Sequence, residues 1–234
     1  MTLFRSRPWN KQTATPTEEK KPMSSFIRGV DVSHYTKGVN WDAVAKDGNR
    51  FAFAKAGDGL GSIDSEFKNF RRDAKSVGLL FGAYFFFRFD HSVTDQVNLF
   101  LSAIGDGVGE IQPVLDAEWD RYSQHYGEGK TMDDEAASRV KSALSLLVGH
   151  GFKPQVYTNA YFFTGFKNTA QFENYPLWIS NYSAKTLDAV KIPKPWKQAT
   201  WWQYKGDVPG YGVDKMDFNY FLSDEAALKA MVKA

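Results

Sequence analysis

From Phe26 onward the chain alternates between short apolar runs and stretches whose apolar residues recur at helical spacing. Residues 26–32, 51–55, 79–87, 112–118, 155–158, 177–180, 200–204 and 215–219 read as eight strands. Residues 41–46 read as a short helix. Residues 64–77 read as a longer one, with Phe67, Phe70, Ala74 and Val77 on a single face. Residues 92–104 form a third, with Ser92 placed to cap it. Residues 131–148 form the longest, opened by Thr131 and Asp134 at capping-box spacing, and the chain finishes in a helix over 224–234.

Strands alternating with helices predict an α/β fold with a parallel sheet and right-handed crossovers. Eight strands after residue 25 predict a closed barrel of the (β/α) type. The second half has little room for full crossover helices, so the barrel is expected to be irregular, with fewer helices there. A doubly wound open sheet is the alternative. Its nucleotide-binding forms lack support: no GxGxxG follows the first strand, and the glycine-rich Gly57-Asp58-Gly59-Leu60-Gly61 has no Walker lysine. Residues 1–25 break the pattern. They are rich in Thr, Pro, Lys and Glu, without periodicity, and read as a disordered tail ahead of a barrel over 26–234. A docking arm through Phe4 and Trp9 is the other reading of that segment.

Composition narrows the function classes. Hydrophobic residues make up 43% and charged residues 24%, enough to build a core. Aromatic residues reach 16%, which suits a large core or a groove for flat-faced sugars. There is no Cys, so disulfides, thiolate metal sites and a Cys nucleophile are excluded. The net charge is +2, but the tail alone holds five basic residues against two acidic ones. The remainder is close to neutral and has no basic stripe, which argues against nucleic acid as a partner. No apolar run approaches the length of a membrane span. Two early arginines are followed by no apolar segment, so a standard secretory signal is not expected.

The chemistry concentrates at strand ends. Pro113-Val114-Leu115-Asp116-Ala117-Glu118 runs an apolar strand into two carboxylates two residues apart. Strand side chains alternate, so Asp116 and Glu118 share a face, roughly 7 Å apart at Cα. The C-terminal ends of barrel strands are where active sites lie. Two acids there raise each other's pKa and give one proton-holding acid beside one anion, the pairing that glycosidic-bond cleavage needs. Alone, such a pair is as well explained by a solvated strand end. Asp31 ends the first strand and Asp217 the last, and in a closed barrel those strands are neighbours. Four carboxylates thus aim at one mouth.

Taken in order, Gly29-Val30-Asp31-Val32-Ser33, Val39-Asn40-Trp41, Phe53-Ala54-Lys55-Ala56, Gly82-Ala83-Tyr84-Phe85-Phe86, Val114-Leu115-Asp116-Ala117-Glu118, Leu177-Trp178-Ile179-Ser180-Asn181-Tyr182, Trp202-Gln203-Tyr204 and Asp217-Phe218-Asn219-Tyr220-Phe221 resemble glycoside hydrolase family 25, the Chalaropsis-type lysozymes. The resemblance runs from about Phe26 to the C-terminus. It implies an irregular β/α barrel and an N-acetylmuramidase that cuts the β-1,4 bond between N-acetylmuramic acid and N-acetylglucosamine of bacterial peptidoglycan. It implies Glu118 as general acid, Asp116 as its partner carboxylate, and Asp31 and Asp217 as the two supporting acids. Ala117 stands where the family more often has Ile or Val, and Phe85 lies near a position where it commonly has His. Ala117 is expected to face away from the site.

Aromatic residues flank these acids. Tyr84, Trp178 and Tyr204 are the preferred sugar-stacking candidates, with Tyr35, Tyr182, Trp202, Phe86 and Trp119 behind them. His34 stands close enough to Asp31 to hydrogen-bond near the mouth. The four histidines show no zinc spacing, and no cofactor or metal is expected. A monomer is expected. The polar leader favours release by phage lysis or incorporation into a virion. Two other readings stand beside the muramidase: a carbohydrate-binding or structural phage protein that kept the barrel and lost turnover, and a chitinase. The chitinase expects DxxDxDxE, of which only the final DxE is present. Retention of all four acids argues against the first. Retention or inversion at the anomeric carbon is left open.

Overall fold

The computed structural model describes residues 26–118 and 134–234. Among them are nine strands: β1 (Ile27–Val32), β2 (Phe51–Asp58), β3 (Ser62–Ile63), β4 (Leu80–Phe86), β5 (Ile111–Asp116), β6 (Gln155–Asn159), β7 (Leu177–Ser180), β8 (Trp201–Gly210) and β9 (Val213–Phe221). Their order is β1-β9-β8-β7-β6-β5-β4-β2-β3, and β1 also pairs with β2. Eight strands therefore close a ring, and β3 is a short addition to the edge of β2.

The ring is parallel from β1 through β2, β4, β5, β6 and β7 to β8. The expected all-parallel sheet fails at the seam, where β9 runs antiparallel to both β8 and β1. The reason is covalent. A parallel return needs a crossover of about a dozen residues, whereas β8 and β9 are joined by a tight turn at Tyr211 and Gly212, both with positive φ.

The helices thin out along the chain. They are α1 (Trp41–Lys46), α2 (Phe67–Ser76), α3 (Val93–Ile104), α4 (Asp134–Gly149), the four-residue α5 (Ala160–Phe163) and α6 (Glu225–Ala230). On α2, Phe67, Phe70 and Ala74 are buried; on α3, Val97, Phe100 and Ile104 are. These stripes pack on the outside of the sheet, and each fully buried Phe contributes roughly 1.5–3 kcal/mol. Ser92 Oγ accepts from the Asp95 backbone N–H at 3.4 Å and opens α3 as the sequence predicts. Beyond β6 only α5 and short 3₁₀ turns cover the sheet, and an aromatic cluster of Phe162, Phe163, Phe166, Phe172 and Trp196 replaces the missing helices. None of the described helices is long and apolar enough to cross a membrane.

A second core fills the barrel interior with Phe51, Phe53, Ile111, Val114, Tyr157, Trp178, Trp201 and Phe221. Two glycines make room for it. A Cβ on Gly29 would meet the Phe51 ring at 2.5 Å, and one on Gly82 would meet Phe53 Cε1 at 2.4 Å. This plug fills the barrel from below, where Gln155 accepts the Trp201 indole N–H at 2.6 Å, and the cavity lies above it.

Candidate active site

Above the plug lies a cavity of about 160 Å³ lined by Asp31, Tyr84, Asp116, Glu118, Tyr157, Trp178, Tyr182, Gln203 and Asp217. All four predicted acids converge there. Asp31 and Asp217 are opposed residues on the antiparallel β1–β9 pair. Asp116 ends β5, and Glu118 follows two residues later. The ladder continues past the strand: Phe87 N–H donates to the Asp116 carbonyl and Ala117 N–H to the Tyr157 carbonyl, each at 2.9 Å. That holds the backbone rigid on both sides of the acid pair. Ala117 is fully buried in the outer core, facing away as expected.

Each acid has a different environment. Asp31 is buried, and its Oδ2 accepts from Gln203 Nε2 at 2.8 Å and Asn219 Nδ2 at 2.7 Å. Burial and the nearby Asp217 charge still push its pKa well up. Asp217 accepts the Asp207 backbone N–H at 2.7 Å, and burial raises its pKa as well. Asp116 is buried, and its Oδ1 meets no hydrogen-bond donor among the described residues. Burial, then the Glu118 charge, pushes it well above the usual carboxylate range. Burial lifts Glu118 to about 7, with Lys55 pulling it down and Asp217 pushing it up. The Asp116–Glu118 pair therefore keeps a proton up to neutral pH.

A polar scaffold sets these positions. Gln203 Oε1 accepts from both Tyr157 and Tyr182 hydroxyls at 2.7 Å while its amide nitrogen holds Asp31. Asn219 does the same on the other side, accepting Trp178 Nε1 at 2.9 Å and donating to Asp31. Gln203, Asn219 and Tyr157 are absent from the sequence-derived candidates. Neutral amides carry no charge signal, and only barrel closure aims them at an aspartate.

The aromatic candidates divide. Tyr84, Trp178 and Tyr182 line the cavity; Trp178 is 2% exposed and forms its floor, with Tyr84 and Tyr157 at its edges. Tyr182 is 52% exposed and stands at the rim. Tyr35 is 77% exposed in the loop after β1, its ring 3.9 Å from that of His34. His34 does bond near the mouth, but to Asp64, through both its backbone N–H and Nδ1. Trp202 and Tyr204 are not brought to the cleft. Gln203 points inward, so alternation turns its neighbours outward. Trp202 is buried with its indole N–H on the Asn181 carbonyl, and Tyr204 stacks on Tyr220 at 4.3 Å. Phe86 lies under two cations, Lys55 and Arg88. Trp119 and the capping residue Thr131 lie outside the described residues, as does the segment 1–25.

A closed, mostly parallel barrel with a carboxylate pair at the upper end of one strand, and two more acids at the seam, defines a barrel glycosidase. The sequence model of Glycosyl hydrolases family 25 matches residues 30–213, and the chain belongs to that family. It is 32% identical over 220 residues to the uncharacterized protein YegX of Escherichia coli K12, covering 90% of this chain and 75% of that one. It is 28% identical to Lysozyme M1 of Streptomyces globisporus, covering 89% and 72%. The muramidase of Trichobolus zukalii superposes with a TM-score of 0.76 at 26% identity, covering 88% of this chain and 99% of that one. The protein is a glycoside hydrolase of the lysozyme type.

Proposed function

We propose that the enzyme cleaves the β-1,4 bond between N-acetylmuramic acid and N-acetylglucosamine in bacterial peptidoglycan, with Glu118 as the acid. The observation that carries this is the Asp116–Glu118 pair on one cavity wall, with burial pushing both carboxyls up. Glu118 donates its proton to the leaving glycosidic oxygen as the bond to C1 breaks. Asp116 Oδ1, buried and without a donor, suits the N–H of the substrate's 2-acetamido group. Held so, the acetamido oxygen attacks C1 and the positive oxazolinium lies against the Asp116 charge. Water, deprotonated by Glu118, then opens that ring. This route retains the anomeric configuration. Asp31 and Asp217 orient the sugar from the seam, and Tyr35 and Tyr182 offer ring faces at the rim.

Reducing ends released from purified peptidoglycan and from chitin separate this reading from its rivals. A muramidase releases muramic-acid reducing ends from peptidoglycan and leaves chitin intact. Chitin cleavage points to the other glycosidase, and binding without turnover to a lectin-like barrel. We also propose that residues 26–234 are the catalytic unit. A chain starting at Ser24 is expected to keep its turnover on soluble wall fragments; loss of folding or of most activity overturns that assignment.

A further inference from the structure

Lys55 is a buried cation on β2 that the reaction above does not use. It is 9% exposed, and its ammonium donates to Asp58 Oδ2 at 2.8 Å. The same Asp58 carboxylate is gripped from the other side by Arg88, with Nε on Oδ1 at 2.5 Å and Nη2 on Oδ2 at 2.9 Å. Both cations sit over one face of chemistry: Lys55 Nζ lies 4.8 Å and Arg88 Cζ 4.5 Å from the Phe86 ring centre. Phe86 is the register partner of Asp116, and Lys55 that of Tyr84 on the strand between. The ammonium is therefore held by one ion pair and by the ring of Phe86, the residue whose register partner is Asp116. Burying a lysine is costly unless its charge is matched. Asp58 is already shared with the permanently charged Arg88, so the group left for Lys55 to match is the pair at the end of β5.

We propose that Lys55, clamped by the Asp58–Arg88 ion pair, is a positioning residue that holds the Asp116–Glu118 pair at a single negative charge and so places the pH window of catalysis. The proposal rests on Glu118 and Asp116 acting as above. The acid pair faces other charged or titratable groups from several sides: Asp31 from β1, Asp58 from β2, Tyr84 from β4, Tyr157 from β6, Tyr182 beyond β7 and Asp217 from β9. The carboxylates among these oppose ionisation of the pair. Among the described residues, Lys55 is the cation that acts on both of its members. Without it, burial and repulsion favour the doubly protonated pair, which has no anion to meet the developing positive charge.

The test is the pH dependence of kcat/KM for Lys55→Met, Lys55→Arg and Asp58→Asn. An opposite charge at close range lowers a carboxyl pKa by about 1–3 units. Lys55→Met is therefore expected to move both limbs of the bell upward by about one unit or more. Lys55→Arg restores the native position. Asp58→Asn removes both the clamp on Lys55 and an anion that itself raises Asp116. These effects are opposed, so its bell stays nearer the native position than that of Lys55→Met. A lysine that only supports the fold lowers the height of the bell and leaves its limbs in place, and that result overturns the proposal. If Lys55→Met does not fold, Lys55→Gln, which keeps a polar group beside Asp58 but no charge, takes its place, and an unmoved bell in that variant is equally fatal. A ¹³C-carboxyl titration of Glu118 in the native and Lys55→Gln proteins reads the same shift without turnover. It separates the two failures: an unmoved carboxyl rejects the role of Lys55, whereas activity surviving in Glu118→Gln rejects the assignment of the acid.

Discussion

Asp31 and Asp217 face each other across the one antiparallel seam of the barrel. Adjacent strands bring Cα atoms in such a pair to about 4.5–5.5 Å, close enough for each charge to disfavour the other. Only Asp31 is held by side-chain amides, from Gln203 and Asn219. Asp217 leans on a single backbone N–H from Asp207, a residue at positive φ in the β8–β9 hairpin. One acid is rigid and the other rides on a hairpin.

That asymmetry ranks the four acids. Glu118→Gln keeps size and hydrogen bonding but has no proton to give, and general acid catalysis is worth about 10²–10⁴-fold. Turnover on peptidoglycan should fall by that much with the thermal transition intact. Asp116→Asn should also cost orders of magnitude. Asp31→Asn and Asp217→Asn should cost less, through KM as well as kcat. Near-native turnover of a folded Glu118→Gln protein would remove it as the acid.

The raised carboxyls also link activity to stability. Glu118 sits at about 7 against an ordinary 4.5, and Asp31 and Asp116 well above 3.8. A carboxyl whose folded-state pKa is raised binds its proton more tightly in the folded chain. The stability it contributes is complete below about pH 4 and is lost as pH rises through the folded-state values. The Tm is expected to fall between about pH 4.5 and 7, the window between the unfolded-state and folded-state values of Glu118. Glu118→Gln removes part of that loss, so at pH 7.5 its Tm should exceed the native value by about 2–4 °C, as about 1 kcal/mol gives at this size. Calorimetry at pH 5 and pH 7.5 checks both. Activity should decline above about pH 7 as Glu118 loses its proton.

The rim and the outer face make a matched comparison. A ring stacked on a flat partner is worth about 0.5–1.5 kcal/mol, so Tyr35→Ala should raise KM about three- to tenfold at unchanged kcat. Tyr204→Phe alters a ring that stacks on Tyr220 outside the barrel and should leave KM alone. Steady-state kinetics on soluble glycan strands that showed the reverse order would place the sugar elsewhere.

Gly82 tests the plug beneath the site. An alanine there puts a methyl 2.4 Å from Phe53 Cε1 and 3.1 Å from Ile111 Cβ. Neither neighbour can retreat into a filled barrel, so Gly82→Ala should destabilise by about 1–3 kcal/mol. Urea unfolding is the measurement, and an unchanged midpoint would mean that the barrel interior has slack.

Asp116 and Glu118 were legible in the sequence because they sit where an apolar run stops. Asp217, expected at a strand end, lies in the middle of β9 and reaches the mouth because that strand runs antiparallel across from Asp31. The partners were not legible. Trp201-Trp202-Gln203-Tyr204 is apolar on both faces of its strand, so alternation alone does not say which side is inside. The structure turns Trp201 and Gln203 inward, and Trp202 and Tyr204 outward with them. Lys55 was visible as part of a motif, but its burial follows from barrel closure, which turns it to the same side as Phe53 and Tyr84. The antiparallel β9 could have been inferred, since ten residues between Tyr204 and Lys215 leave no room for a crossover.

The seam has a consequence for timing. The bonds that hold Asp31 join it to residues 172 and 188 positions further along the chain. Contacts of such long range are entropically late to form. A partly synthesised chain already carries Asp31, Asp116, Glu118 and the plug-forming phenylalanines, yet has no cleft until β9 docks between β8 and β1. Hydrolytic capacity thus arrives only with the last strand.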